Sequence, residues 1–332
     1  MTNLSVQPQT QYQAQPCGVS RRGFLQWCSY LASALALPPT LIPRIAQGLE
    51  RRPRYPVIWL NFQSCCGCTE SLSRAYAPTL ESLIFDFVSL DFHSVLQAAA
   101  GDLAEANCRH AIESNRGHFL LVVEGAVPVR LSGAYSTCGG ISNLAQLAYA
   151  AEGAAAVIAV GSCAAFGGLP KAHPNPTGAQ GIGDLMVAGR IPRRPLANIP
   201  GCPPLPEAIA ATLAHVVVFE QLPARDALDR PLAFYGHSIH ERCSRLSFFQ
   251  QGEFALSFDD EGARQGWCLF KLGCKGPATH NACAQQRWNG GLSFPIESGH
   301  PCLGCSEPDF WDAGGFYRPL RANLPHAAGR AG

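Results

Sequence analysis

The stretch "FQSCCGCTES", residues 62–71, places Cys65, Cys66 and Cys68 directly after the apolar run Val57-Ile58-Trp59-Leu60. Thiols so closely spaced serve as a disulfide, a zinc site, a redox thiol pair or part of an iron–sulfur centre. Cys65-x2-Cys68 together with Cys163 and Cys202 makes one set of four thiolates. Four thiolates suit a cubane 4Fe-4S cluster or a tetrahedral zinc. Zinc sites generally use two close pairs, whereas here one pair is completed by two distant single cysteines, which favours iron and sulfide, with a disulfide as the plain alternative.

A second set is His240-x2-Cys243 with Cys268-x5-Cys274, three thiolates and one imidazole, equally suited to zinc and to a 4Fe-4S cluster. His237 lies three residues earlier, but one imidazole completes the set. The third set, Cys283 with Cys302-x2-Cys305, has three thiolates and Pro295 between them. Three thiolates fit a 3Fe-4S cluster, and a zinc completed by His300 or His280 is the alternative.

The elements that must position these residues follow from the bulk pattern. A chain of 332 residues with 47% hydrophobic residues and net charge +1 can bury a real core and is long enough for two domains. Near-neutral charge without a Lys/Arg run gives no electrostatic reason for a nucleic-acid partner. Fifteen cysteines exceed what a reduced enzyme ordinarily carries, in a chain far larger than disulfide-stapled scaffolds, so metal ligation is the economical explanation.

Four short apolar runs read as strands: Val57 to Leu60, Phe119 to Val123, Ala156 to Val160 and the weaker Leu196 to Ile199. Helical stretches such as Ile141 to Gly153 and Pro206 to Phe219 separate them, which predicts an α/β fold with a parallel sheet covered on both faces. Ligands of open parallel sheets sit beyond the carboxyl ends of the strands. The loops carrying Cys65 and Cys68, Glu124-Gly125, Cys163, and Cys202 should therefore meet at one crevice. After about Leu222 the chain turns loop-rich and holds Cys243, Cys268, Cys274, Cys283, Cys302 and Cys305. With few long apolar runs, this part is expected to depend on metals for stability. The boundary falls between Leu222 and Leu232.

At the N-terminus, Ser20-Arg21-Arg22-Gly23-Phe24-Leu25 leads into an apolar run ending at Leu37, then Pro38-Pro39 and small residues around Ala46-Gln47-Gly48. That order matches a twin-arginine export signal, with a short buried helix as the alternative. The twin-arginine route carries folded proteins, so metal centres can be filled before the chain meets an oxidising periplasm. Cys17 and Cys28 fall inside this leader.

The motifs "CxxCTES", "GSCAAFGG", "NPTGA", "PGCPPLPE", "IHERC", "CLFKLGCKGP", "NAC" with "RWN", and "SGHPCLGCSE" occur in that order between about Pro56 and Phe316. In them the sequence resembles the small subunit of NiFe hydrogenases. The resemblance implies a leader over 1–48, a flavodoxin-like doubly wound domain over 49–225, and a loop-rich, iron–sulfur-stabilised domain over 226–332. It implies a proximal 4Fe-4S cluster on Cys65, Cys68, Cys163 and Cys202. A medial 3Fe-4S cluster would sit on Cys283, Cys302 and Cys305, and a distal 4Fe-4S cluster on His240, Cys243, Cys268 and Cys274. No catalytic residue is then expected in this chain, because in the family the nickel–iron centre belongs to a large subunit, its heterodimer partner. Electrons from H2 would pass through the three clusters to an acceptor such as a cytochrome.

Some positions depart from relatives. Oxygen-tolerant members carry two additional cysteines where Gly67 and Gly168 stand here, which implies an ordinary cubane and an oxygen-sensitive enzyme. Cys66 replaces a common threonine and is expected to point away from the cluster. Ser64 replaces a common glutamate and is a poor general base; Glu70 and Glu124 are nearby carboxylates, expected to be at the surface or capping. Cys108 and Cys138 are expected to be structural or exposed thiols. No stretch after Leu37 reaches roughly 18 consecutive apolar residues, so the mature complex is expected to be soluble or attached through a partner. Two rival readings share these features: a hydrogen-sensing complex with the same clusters, and an exported binding protein stabilised by zinc or disulfides.

Overall fold

A computed structural model describes residues 25–26, 28–29, 32–33, 37–51, 54–76 and 79–320. The paired arginines of the leader and Cys17 lie outside the described residues.

Five strands form one parallel sheet: β1 Tyr55–Asn61, β2 Val88–His93, β3 Leu120–Glu124, β4 Ala156–Val160 and β5 Leu196–Ile199. Their order is β2-β1-β3-β4-β5, and every neighbouring pair is parallel. This is the flavodoxin-like winding, in which the chain starts inside the sheet and crosses over in both directions. The four apolar runs of the sequence are β1, β3, β4 and β5. The edge strand β2, with sequence VSLDFH, was not expected from its composition, because its exposed Asp91 and half-buried Ser89 and Leu90 break the apolar run.

Seven helices matter for the site: α1 Ile42–Arg51, α2 Gly67–Ser73, α3 Gly101–Ser114, α4 Asn143–Gly153, α5 Gly161–Phe166, α6 Ile182–Val187 and α7 Pro206–Phe219. Strand side chains alternate between the two faces. Ile58, Leu60, Leu121, Val123, Val157 and Ala159 face one core with α3, α4 and α6. Val57, Trp59, Leu120, Val122, Ile158 and Val160 face the other with α7.

That second core does not end at the expected domain boundary. Phe234, Tyr235, Ile239, Leu269, Leu272, Phe294 and Ile296 pack into the same cluster as α7, and Ile45 and Ala46 of α1 join it, as do Cys28 and Ala32. Beyond Leu222 the longest described helix is only six residues, Leu246–Gln251, so these loops gain burial by leaning on the sheet layer. Arg230, 4% exposed, pins the junction. Its guanidinium pairs with Asp226 at 2.8 Å and Glu307 at 3.0 Å and donates to the Ser306 carbonyl. Tyr235 Oη donates to the Pro200 carbonyl at 2.7 Å, which ties this region to the loop carrying Cys202. Among the described residues no helix is long and apolar enough to cross a membrane.

Candidate metal centres

The first thiol set meets at the carboxyl edge of the sheet, as the strand pattern requires. Cys65 and Cys68 follow β1, Cys163 lies in α5 directly after β4, and Cys202 follows β5. The Cys68 thiol is pushed well above its ordinary range, first by burial, then by Glu124 and by Cys163, Cys65 and Cys202. Cys163 is pushed up to about 12 by burial and by Cys202 and Cys65. The four sulfurs therefore feel one another's charge. Glycine keeps the space between them open: a Cβ on Gly161, at φ +87°, would lie 2.4 Å from Cys68 Sγ, and one on Gly168, at φ +58°, 2.5 Å from Cys163 Sγ. Cysteine at Gly168 would need the loop to move.

Behind this set stands Glu124, the last residue of β3 and 1% exposed. Its Oε1 accepts from the Cys68 N–H at 3.0 Å. Its Oε2 accepts from the Thr69 N–H at 3.1 Å, Thr69 Oγ1 at 2.6 Å, Asn61 Nδ2 at 2.8 Å and Trp59 Nε1 at 3.3 Å. The carboxylate thus satisfies orphan amides in the first turn of α2, where a negative group is also favoured by the helix dipole. Glu124 is the functional residue that sequence reasoning undervalued; its signal was a lone acid ending an otherwise apolar strand. His93 extends the network. Its Nδ1 accepts from the Val95 and Leu96 amides at 3.1 and 3.3 Å, which leaves Nε2 to donate to Thr69 Oγ1 at 3.4 Å, and its ring stacks on Trp59. Burial holds this imidazole down to about 4.

The other two sets continue from the first. The Ser162 hydroxyl joins the Gly201 N–H, beside Cys202, to the Cys305 carbonyl; burial pushes the Cys305 thiol up to about 11. Cys283, about 12, is raised by burial and then by Cys305. Cys302 is raised well above its ordinary range by burial, then by Cys305 and Cys274. The Lys275 N–H, beside Cys274, donates to the Cys302 carbonyl at 2.7 Å. Cys274 feels Cys243, and Cys268 feels both. His240, Cys243, Cys268 and Cys274 all line one small cavity with Arg245, Phe270 and Ile296. The sets form a succession from the sheet edge, through Cys283, Cys302 and Cys305, to His240.

Buried, crowded thiols stay protonated unless a positive core lies among them, so the donor sets fit metal clusters by their own chemistry. The ten cysteines of the three sets are free of disulfides. A tetrahedral zinc would hold its thiolates at about 2.3 Å from one point. Among the described residues no three His, Cys, Asp or Glu side chains are gathered closely enough to hold one ion. The remaining candidates lie elsewhere. His237 is exposed and pairs with Glu241 at 2.9 Å. His280 interacts with Glu307, and His300 with Tyr317 Oη at 2.9 Å. Cys66 adopts a left-handed φ of +60° rather than the extended backbone expected, and its Sγ approaches Ser64 Oγ at 3.9 Å. Glu70 sits at the surface on Arg74 at 2.8 Å. Cys108 is buried and Cys138 is exposed, donating to Glu105 at 3.1 Å.

Similarity to known proteins identifies the family. The family model for the C-terminal part of NiFe/NiFeSe hydrogenase small subunits matches residues 235–318, and that of the NADH ubiquinone oxidoreductase 20 kDa subunit matches 65–216. The Hydrogenase-1 small chain of Citrobacter freundii is 46% identical over 310 residues, 93% of this chain and 81% of the relative. The chain belongs to the small-subunit family of NiFe hydrogenases. The quinone-reactive Ni/Fe-hydrogenase small chain of Wolinella succinogenes is 44% identical over 93% of this chain and 86% of its own length. A reduced, active NiFeSe hydrogenase structure from Desulfomicrobium baculatum superposes with a TM-score of 0.76 at 36% identity, covering 81% of this chain and all of the other. As a NiFe hydrogenase small subunit, this chain is the electron-transfer, iron–sulfur component of an oxidoreductase whose active site lies in the large subunit.

Two outcomes follow from the network behind Cys68. Glu124→Gln puts an amide N–H₂ against donors, and should cost about 1–3 kcal/mol and lower iron per chain, read by urea unfolding and iron assay. His93 has a folded value of about 4 against an ordinary 6.5, so between those pH values the unfolded chain binds a proton that the folded chain does not. The stability it contributes is complete above pH 6.5 and falls as pH drops toward 4, by about 3 kcal/mol. The urea midpoint should decline over that window in the wild type, and His93→Gln should remove this part of the decline.

Proposed function

We propose that this chain carries three clusters in line and passes electrons from H2 oxidation in the large subunit to an external acceptor in the periplasm. The observation that carries this reading is the adjacency of the three proposed ligand sets: the Ser162 hydroxyl bonds both Gly201, beside Cys202, and Cys305, and the Lys275 N–H, beside Cys274, donates to the Cys302 carbonyl. Cys65, Cys68, Cys163 and Cys202 would hold a proximal 4Fe-4S cluster, Cys283, Cys302 and Cys305 a medial 3Fe-4S cluster, and His240, Cys243, Cys268 and Cys274 a distal 4Fe-4S cluster. Bound there, the clusters supply one-electron redox steps that divide a long transfer into short ones.

The chain's own residues set the direction. Cys65 and Cys202 are exposed while Cys283 and Cys302 are buried, so the proximal site is the one open for the large subunit to cover. At the other end the neutral imidazole of His240 replaces a thiolate, which makes the distal centre less negative and favours its reduction. Arg245 lies beside Cys243, Cys268 and Cys274 and acts in the same sense. Gly67 and Gly168 support an ordinary proximal cubane, hence an oxygen-sensitive enzyme.

Residues 1–48 act, in this reading, as a twin-arginine leader that exports the folded chain, with 49–225 as the flavodoxin-like domain and 226–332 as the cluster-bearing C-terminal domain. A cytochrome is the proposed acceptor, and the complex is soluble or held at the membrane by a partner.

Metal and sulfide analysis of the anaerobically purified complex should find about eleven irons per chain, with nickel from the partner and an oxidised 3Fe-4S electron paramagnetic resonance signal. Zinc without sulfide would overturn the assignment. His240→Ala should slow H2-driven reduction of an external acceptor more than it slows H2/D2 exchange at the partner's nickel site; equal loss of both would count against an exit role for His240.

A further inference from the structure

Ser162 is neither a ligand nor near the surface, at 1% exposed, yet it fastens two ligand loops together. Its N–H donates to the Gly201 carbonyl at 3.0 Å, and its Oγ accepts from the Gly201 N–H at 2.9 Å. The same hydroxyl donates to the Cys305 carbonyl. Gly201 is followed by Cys202. The side chain of Ser162 thus clasps the loop of Cys202, in the first thiol set, to Cys305, in the third.

We propose that Ser162 is a positioning residue for electron passage between these two sets, holding the loop of Cys202 and the backbone of Cys305 at a fixed spacing. The proposal rests on the cluster assignment given under Proposed function. In each step a centre held by Cys65, Cys68, Cys163 and Cys202 would give up one electron, and a centre held by Cys283, Cys302 and Cys305 would take it up. H2 at the large subunit would be the source. No covalent bond would form or break, and the hydroxyl proton would stay on Ser162.

Two consequences follow from the geometry. The clasp fixes the span an electron would cross, because Gly201, beside Cys202, and Cys305 bond to one hydroxyl. The hydroxyl proton on the Cys305 carbonyl also offsets negative charge beside the receiving centre and so favours its reduced level, since hydrogen bonds around a centre control its reduction potential. Without the hydroxyl, the Gly201 N–H and the Cys305 carbonyl lose a shared buried partner, and nothing in the clasp holds the two loops in register.

The test uses the purified heterodimer with Ser162→Ala and Ser162→Thr, the second keeping the hydroxyl. Redox titration of the 3Fe-4S resonance should show a lower midpoint potential and a weaker magnetic interaction with the neighbouring centre in Ser162→Ala. The ratio of H2-driven dye reduction to H2/D2 exchange should fall about tenfold, a modest penalty for sub-ångström misplacement. Ser162→Thr should recover both. An unchanged potential and ratio in Ser162→Ala overturns the proposal, as does loss of iron from both sets that Ser162→Thr fails to restore. Absence of any iron–sulfur resonance in the wild type overturns the cluster assignment itself, a result distinguishable from either of these.

Discussion

Ten thiols gathered in one chain repel one another as soon as they lose their protons, and burial adds to that cost. Cys68 and Cys302 show the effect most strongly, each raised by burial first and then by neighbouring charges, thiols among them. Only positive metal cores relieve this crowding. The protein must therefore hold its ligand loops in place without help from their sulfurs. It does so through backbone amides, buried carboxylates and a few hydroxyls around each set.

At the sheet edge this support is Glu124, whose carboxylate gathers Cys68, Thr69, Asn61 and Trp59. A buried carboxylate costs several kcal/mol to desolvate unless its oxygens are fully used. Here both oxygens accept hydrogen bonds, so the same residue caps α2 and orients the loop of the first two ligands. At the domain junction Arg230 plays the equivalent part: it is buried, but Asp226 and Glu307 answer its charge and Ser306 takes a further N–H.

These supports make the C-terminal region dependent on the sheet domain. Its helices are short, and its larger apolar side chains, Phe234, Ile239 and Ile296 among them, share one core with α7. Such a region is stabilised by leaning on its neighbour rather than by a core of its own. The contacts that set one group of cysteines beside the next also join the C-terminal region to the sheet layer.

Much of this was legible in the sequence. Near-continuous apolar runs at Phe119 to Val123 and Ala156 to Val160 can only be strands buried on both faces, and that constraint places Cys65, Cys163 and Cys202 at one edge. The spacing of cysteines and His240 separated three ligand sets, and the ordered motifs named the family. Tertiary structure alone decided the rest. Strand β2 was hidden because an edge strand tolerates polar residues such as Ser89 and Asp91. Glu124 and Ser162 were ambiguous because a carboxylate or hydroxyl in a sequence does not declare its partners; those come from residues 56 and 143 positions away. The succession of the three sets was invisible for the same reason, since it depends on single contacts, Ser162 to Cys305 and Lys275 to Cys302, that only the folded chain brings together.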